Sequence, residues 1–266
     1  MENLNLPQDL IPAGSILSTF RGSISHNTYK PSPNSIDDVD LASVYIAPVD
    51  FYIGLDQSQD YKRGNHVYHG KFDLVSYELR QFINLALRFN PNIIVLLWLK
   101  DRHYLHMSPE AEVFITNRNY FSSKRAYTAF TGYASEQLKK MLKEGKFQGY
   151  MGDKRKALVK KFGYDCINAS HAIRLLKMGF EFLETGQLNV YRDNDRNLLI
   201  DVKNGEWGLD RVQEYARHLL SRSEDAVKRS KLPEEPDRER VNKLFMEVIS
   251  DYVYDEYHMP MALNRY

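Results

Sequence analysis

The chain has 266 residues, long enough for one large domain or two smaller ones. Its 36 basic and 35 acidic residues, with 43% hydrophobic residues, are typical of a globular protein and exclude global disorder. The one cysteine, Cys166, excludes an intrachain disulfide and a cysteine-based zinc cluster. The longest strongly apolar run, Ile93 to Leu99, is too short to span a bilayer, and residues 1–20 contain no basic residue of the kind that begins a secretory signal. We therefore expect a soluble, cytoplasmic protein that makes no membrane contact.

The first half of the chain reads as mixed strands and helices. Residues 16–24 and 39–46 are partly β-branched runs separated by a polar loop, which predicts two strands. A third strand over 72–77 leads into an amphipathic helix, which Asn90-Pro91 ends because a residue before proline is disfavoured in the α region. Residues 92–100 are apolar almost all round and predict a buried helix.

The second half has the pattern of long helices. Predicted helices cover 123–144, 153–162, 165–184, 208–231 and 238–252. Two short apolar runs, 188–192 and 198–203, flank the polar tetrad 194–197 and predict a β-hairpin. The sequence thus predicts an α/β domain with a small mixed sheet and flanking helices over 1–132. A mainly helical domain containing the hairpin is expected over 133–266.

Two aspartates begin the second predicted strand. Asp38 and Asp40 are two residues apart, so their side chains project to the same side of a strand. Two like charges so close are costly unless a cation joins them. Asp73 lies in the third predicted strand and supplies another carboxylate. Together the three carboxylates predict an Mg²⁺ site for phosphoryl transfer.

A Gly-Ser turn stands upstream of the aspartates. Gly22 lets the backbone approach a phosphate closely, and the Ser23 hydroxyl adds a hydrogen-bond donor. His171 and Arg174 are one helical turn apart, so they either contact a substrate phosphate or form an ordinary packed pair.

The order and spacing of these motifs resemble the nucleotidyltransferase superfamily typified by the DNA polymerase beta palm. The similarity is strongest to its predicted RNA-repair-pathway branch and covers roughly residues 12–215. It is carried by Arg21-Gly-Ser-Ile-Ser-His-Asn-Thr, Asp38-Val-Asp-Leu, Asp73-Leu-Val-Ser-Tyr-Glu, Arg118-Asn-Tyr-Phe-Ser-Ser-Lys124 and His171-Ala-Ile-Arg. Val95 departs from the branch, which usually has Glu at that position.

The resemblance implies that 1–132 is a catalytic domain with a polymerase-beta-type palm and that 133–266 is a substrate-binding domain. It implies metal-dependent transfer of a nucleoside monophosphate from an NTP to an acceptor hydroxyl, with release of pyrophosphate. It implies two Mg²⁺ ions, with Mn²⁺ as an alternative, bound by the catalytic residues Asp38, Asp40 and Asp73. The nucleotide-binding residues that it implies are Gly22, Ser23, Thr28, Arg118, Lys124, His171 and Arg174.

A basic segment suggests the acceptor. Residues 139–161 contain nine Lys or Arg and two acidic residues. Such a block is either a solvated helix face or an anion-binding face. With the resemblance, it favours RNA as the acceptor, for end modification or repair. Two alternatives stay open: toxin-like nucleotidylation of a protein or tRNA, and a nucleotide- or RNA-binding module without activity.

Overall fold

The computed structural model describes residues 11–12, 14–29, 38–55, 65–142 and 153–258. These residues form a mixed five-stranded sheet in the order β3-β4-β2-β1-β5. Strands β2 and β4 run parallel, whereas the other neighbouring pairs are antiparallel. The strands are β1 (Ser15–Phe20), β2 (Val39–Tyr45), β3 (Asn65–His69), β4 (Phe72–Glu78) and β5 (Tyr104–Met107).

Short helices lie between the strands, and the longest helices follow β5. Short 3-10 helices occupy Val95–Leu97, Asp101–His103 and Arg118–Phe121. The α-helices are α1 (Gly22–Ser25), α2 (Val49–Ile53), α3 (Leu79–Leu87), α4 (Pro91–Ile94), α5 (Pro109–Thr116), α6 (Arg125–Leu142), α7 (Asp153–Phe162), α8 (Cys166–Thr185), α9 (Arg196–Lys203), α10 (Leu209–Arg229) and α11 (Arg238–His258).

The two faces of the sheet contribute to different hydrophobic clusters. Ala42 and Val44 of β2 belong to a large core that includes buried side chains from α3, α6, α8, α9 and α10. Leu41 packs with Leu74 in a smaller cluster on the opposite face. Asp40 alternates with Leu41 and therefore projects from the face of the sheet that the large core covers.

Helix α8 is the centre of the helical part and packs against α6, α9 and α10. Its approach to α6 is close at Gly179, where an added Cβ would lie 2.6 Å from the Phe130 Cβ. The large core takes residues from both sides of position 132, and α6 runs through that position without a break. The division into domains 1–132 and 133–266 stays a prediction.

The predicted hairpin is wrong. Residues 196–203 form α9, whose Leu199 and Val202 lie one turn apart, are buried, and join the core beside α8. Residues 187–195 contain no strand. The turn at 194–195 leads into α9 instead of closing a hairpin, and Arg192, 4% exposed, is held before it in ion pairs with Glu181 of α8 and with Asp195.

Other predicted elements differ mainly at their ends. The first strand ends at Phe20 rather than at residue 24, because Gly22 adopts φ +60° and starts α1. Residues 92–100 are buried over most of their length, as predicted, but split into α4 and a 3-10 turn. The five predicted long helices are confirmed within a few residues, except that α11 extends to His258. Strands β3 and β5 were not predicted.

Candidate active site

The parallel pairing of β2 with β4 brings two predicted carboxylates together. Asp40 and Asp73 are direct partners in the register of the two strands. One guanidinium nitrogen, Nη2 of Arg21, lies 3.6 Å from Asp40 Oδ1 and 3.3 Å from Asp73 Oδ2. Arg21 thus neutralises part of the charge of both carboxylates. It was not predicted as a site residue, although it directly precedes the Gly-Ser turn.

The Gly-Ser turn lies against the same carboxylates. Gly22 has φ +60°, and an added Cβ would stand 2.0 Å from Asp40 Oδ2. Only glycine fits there, because of both the backbone conformation and the carboxylate. The turn is closed by a hydrogen bond from the Thr28 backbone N–H to the Ser23 carbonyl, at 2.8 Å.

A cavity of about 1040 Å³ opens beside this turn, and seven of the ten predicted site residues line it. Its lining includes Gly22, Ser23, Thr28, Asp38, Asp40, His171 and Arg174. Asp73 is outside the lining but reaches Asp40 through the shared strand register and Arg21. The Val95 side chain also lines the cavity, so an apolar group stands where the resembling family usually has an acid.

The charges of the cavity wall are distributed unevenly. Acidic side chains from β2 and its N-terminal approach lie beside the Gly-Ser turn. Helices α6, α8 and α9 contribute the cationic side chains Lys140, Arg174 and Lys203, together with His171 and one carboxylate, Glu136 of α6. This arrangement suits a ligand with several negative charges, which the cationic side chains would contact on one side and a metal ion held by the carboxylates on the other.

His26 fixes one of these cationic side chains and was missed as a site residue. It is 5% exposed, and its Nδ1 lies 3.0 Å from the Val190 carbonyl oxygen, which can only accept a hydrogen bond. Nδ1 therefore carries the proton, and Nε2 accepts from Arg174 Nη1 at 2.7 Å. Burial lowers the pKa of His26 well below 6.5, and the nearby Arg174 charge lowers it further. The neutral imidazole thereby holds the guanidinium in place.

Arg174 makes no ion pair with a carboxylate in the part of the chain that the structure describes. Burial lowers its pKa to about 10, with a smaller effect from the positive charge of Arg192, but it stays protonated at neutral pH. Because the guanidinium lines the cavity and is partly removed from water, an anionic ligand would stabilise it.

A buried ion-pair network stands behind His26. The Arg192 guanidinium donates to both carboxylate oxygens of Glu181 and to Asp195. Burial alone would raise the pKa of Asp195, but hydrogen bonds and the charge of Arg192 outweigh it and lower that pKa. The network fixes residues 189–195 and with them the Val190 carbonyl that orients His26.

Arg118 and Lys124 lie outside the cavity. The Arg118 guanidinium stacks over the Trp98 ring, with its central carbon 4.7 Å from the ring centroid. Lys124 forms an ion pair with Glu234 at 2.7 Å. Both side chains thus contact residues outside the cavity and do not reach the carboxylates. Between them in sequence, the Tyr120 ring lies under the Arg240 guanidinium of α11, and Phe121 is buried in the large core.

The basic segment 139–161 is only partly within the described residues. Five exposed lysines can be placed, at the end of α6 and along α7: Lys139, Lys140, Lys156, Lys160 and Lys161. Of these, Lys140 lines the cavity. The remaining basic residues of the segment lie outside the side chains that the structure describes.

The carboxylates fit a divalent cation by their chemistry. Within the described residues no group of three or more His, Cys, Asp or Glu side chains has the geometry of a metal site. However, Asp73 Oδ1 is buried without a hydrogen-bond partner, with His66 Nδ1 3.6 Å away, and Asp40 is held beside Asp73 by register. Mg²⁺ needs only one or two protein carboxylates when waters and substrate phosphates complete its octahedron. Asp38, Asp40 and Asp73 are the residues that could hold it.

A mixed sheet with paired carboxylates beside a Gly-Ser turn is consistent with a nucleotidyltransferase-like protein. Residues 31–247 match the RNA repair pathway DNA polymerase beta family. The chain belongs to that family, which confirms the resemblance seen in the sequence.

Two further comparisons add little. A crystal structure of a nucleotidyltransferase-like protein from Exiguobacterium sibiricum 255-15 is similar at 11% identity, with 90% of this chain and 75% of that chain covered and a TM-score of 0.28. No curated protein matches the chain. Within the described residues, no helix is both long and apolar enough to cross a bilayer. The predicted cytoplasmic location stays a prediction.

Proposed function

We propose that the protein transfers a nucleoside monophosphate from an NTP to the hydroxyl group of an RNA, with Mg²⁺ or Mn²⁺ as cofactor. The observation that carries the proposal is the position of Asp40 and Asp73, in register on parallel strands, beside Gly22 and at the edge of a cavity with a cationic opposite wall. Asp38 would complete the ligand set. Family membership supports this chemistry.

In the proposed reaction, the acceptor hydroxyl oxygen attacks the α-phosphorus of the NTP, and the bond to the oxygen that bridges the α- and β-phosphates breaks. Pyrophosphate leaves with that oxygen, and the hydroxyl proton passes to the Asp73 carboxylate. Bound divalent cations would neutralise the negative charge of the phosphates. The chain itself positions the reactants: Ser23 and Arg174 bind the β- and γ-phosphates, and Gly22 allows their close approach.

RNA is the proposed acceptor because the family is named for an RNA repair pathway and because α6 and α7 carry the exposed lysines Lys139, Lys140, Lys156, Lys160 and Lys161, of which Lys140 lines the cavity. These exposed cations would attract a polyanion to the protein. Binding of this kind depends strongly on salt through counterion release.

Labelled NTPs test the proposal directly. The protein is incubated with each α-labelled NTP, Mg²⁺ or Mn²⁺, and total cellular RNA or protein, with Asp40→Asn as the matched control. We expect the wild-type protein to label RNA and the Asp40→Asn variant to label nothing. Label on a protein or on tRNA alone would replace the acceptor with the toxin-like alternative. No Asp40-dependent transfer to any acceptor would leave only a binding module and contradict the proposed activity.

A further inference from the structure

Arg21 occupies an unusual position for a basic residue in a site that has to bind a cation. Its Nη2 contacts both Asp40 and Asp73, as described above. Its Nε donates to the Leu41 carbonyl of β2 at 3.0 Å, and its backbone N–H donates to the Asp40 carbonyl at 2.9 Å. The side chain is therefore held along β2 with its guanidinium over the two carboxylates.

These contacts compete with metal binding. The guanidinium faces one oxygen of each carboxylate, Asp40 Oδ1 and Asp73 Oδ2, and His66 Nδ1 lies 3.6 Å from the other oxygen of Asp73. A cation that binds the two oxygens facing Arg21 would bring a second positive charge next to the guanidinium, and the two charges would repel each other. The side chains of Arg21, Asp40 and Asp73 are 22%, 31% and 18% exposed. Water therefore screens this ion pair less than it screens a fully exposed one.

The Arg21 side chain could also occupy a second position, inside the cavity. It is one of the residues that line the cavity, directly before Gly22 and Ser23. A guanidinium displaced from the carboxylates would lie beside the bound phosphates, which it can bind through two parallel hydrogen bonds.

We propose that Arg21 is an exchangeable counter-ion: it pairs with Asp40 and Asp73 until a divalent cation arrives, and then pairs with the triphosphate. The inference rests on the proposed function and adds a positioning residue that favours loading of the cation and the nucleotide together. Metal alone has to displace Arg21 without compensation, whereas metal bound to an NTP offers the displaced guanidinium a new anion.

The exchange predicts opposite effects of one substitution on two ligands. Arg21→Gln is expected to bind Mn²⁺ alone roughly fivefold or more tightly than wild type, because no ion pair has to be broken. The same variant is expected to bind a non-hydrolysable ATP analogue with Mg²⁺ roughly tenfold more weakly, because a phosphate contact is lost. Arg21→Lys keeps the positive charge but loses the paired N–H donors of the guanidinium. Its affinities for Mn²⁺ and for the nucleotide should lie between those of wild type and Arg21→Gln.

The Mn²⁺ affinity is measured without nucleotide by a titration in which electron paramagnetic resonance detects free Mn²⁺. The affinity for the ATP analogue with Mg²⁺ is measured by its displacement of a fluorescent nucleotide. Arg118→Gln is the matched control, since it removes a guanidinium that lies outside the cavity. Asp40→Asn shows which Mn²⁺ binds at the proposed site. Near-ultraviolet circular dichroism verifies the fold, and if Arg21→Gln does not fold, Arg21→Lys is compared with Arg118→Lys instead.

Mn²⁺ affinity equal to that of the Arg118 control, with Asp40-dependent binding retained, would overturn the exchange and leave the proposed function standing. Unchanged nucleotide affinity in the Arg21 variant would also overturn it. If Asp40→Asn removed no Mn²⁺ binding in any variant, the metal site itself would be wrong, and the proposed function and the exchange would fall together.

Discussion

His26 and Arg174 are hydrogen-bonded at 2.7 Å although 148 residues separate them in the chain. The contact joins the loop after α1 to the middle of α8, and the Val190 carbonyl sets its direction by taking the imidazole proton. The cationic wall of the cavity is thus positioned by a residue from the opposite end of the sequence.

This contact predicts that His26→Phe weakens NTP binding. Without an acceptor at Nε2, the guanidinium loses its orientation, and the Michaelis constant for the NTP should rise about tenfold with a smaller change in kcat. The check is a double-mutant cycle with Arg174→Gln, in which the two losses should not add. Fully additive losses would mean that His26 acts independently of Arg174.

Substitution of Gly22 should abolish activity through sterics. Gly22→Ala places a methyl group against the Asp40 carboxylate in a left-handed backbone conformation, so the carboxylate has to move from its position in the site. We expect a loss of transfer of at least about a hundredfold. Gly132→Ala is the matched control, since it lines the same cavity and its added methyl group meets no atom within 4 Å. A comparable loss in that control would argue against the steric account.

Asp73→Asn should separate chemistry from binding. The amide can neither take the acceptor proton nor hold a cation well, whereas Asp38 and Asp40 remain to hold the nucleotide with its metal. Single-turnover rates should fall by about a hundredfold or more while the affinity for the NTP with Mg²⁺ stays within a few fold. An equal loss of nucleotide affinity in Asp73→Asn and Asp38→Asn would contradict this division of roles.

Reversing the charge of α7 should weaken RNA binding. Replacing Lys156, Lys160 and Lys161 with Glu removes three exposed cations and adds three anions, so both the affinity and its salt dependence should fall. Filter binding at several salt concentrations measures both. The matched control reverses Lys228, Lys231 and Lys243, which lie on or after other helices. Equal effects of the two triple variants would mean that α7 has no particular role.

Two buried histidines predict a loss of stability in mild acid. Burial lowers the pKa of His26 well below 6.5, and burial with the charges of Arg102 and Lys100 lowers the pKa of His103 to about 4. In the unfolded chain both titrate near 6.5, so below that pH the unfolded state binds more protons and the free energy of unfolding falls.

For His103 the loss should continue down to about pH 4, and above pH 6.5 neither histidine contributes a slope. Urea denaturation between pH 7.5 and 5 measures this slope, which His103→Asn should reduce. The same substitution at exposed His106 is the control. A slope unchanged by His103→Asn would show that His103 gains a proton in the folded protein.

The parts of the site that follow local rules could be predicted. Asp38 and Asp40 were found because alternation along a strand is a local property, and the Gly-Ser turn because glycine marks a backbone conformation. The contacts of His26 and Arg21 could not be found this way, since they depend on residues 148 and 52 positions away.

The fold shows the same division between local and distant signals. The long helices were predicted from their periodicity, but the predicted hairpin at 188–203 failed for a physical reason. Its polar residues looked like a turn, whereas Asp195 pairs with Arg192 and the apolar residues of α9 pack at helical spacing beside α8. The family resemblance implied Arg118 and Lys124 as nucleotide-binding residues, but in the structure Arg118 stacks on Trp98 and Lys124 pairs with Glu234.

The walls of the cavity come from residues as far apart as Arg21 and Lys203, on both sides of the predicted domain boundary. A nucleotide that fills this space would touch the sheet and α8 at once and would act as a non-covalent cross-link between the two ends of the chain. Its binding free energy would then add to the cooperativity of unfolding, so that the two regions melt together at saturating ligand.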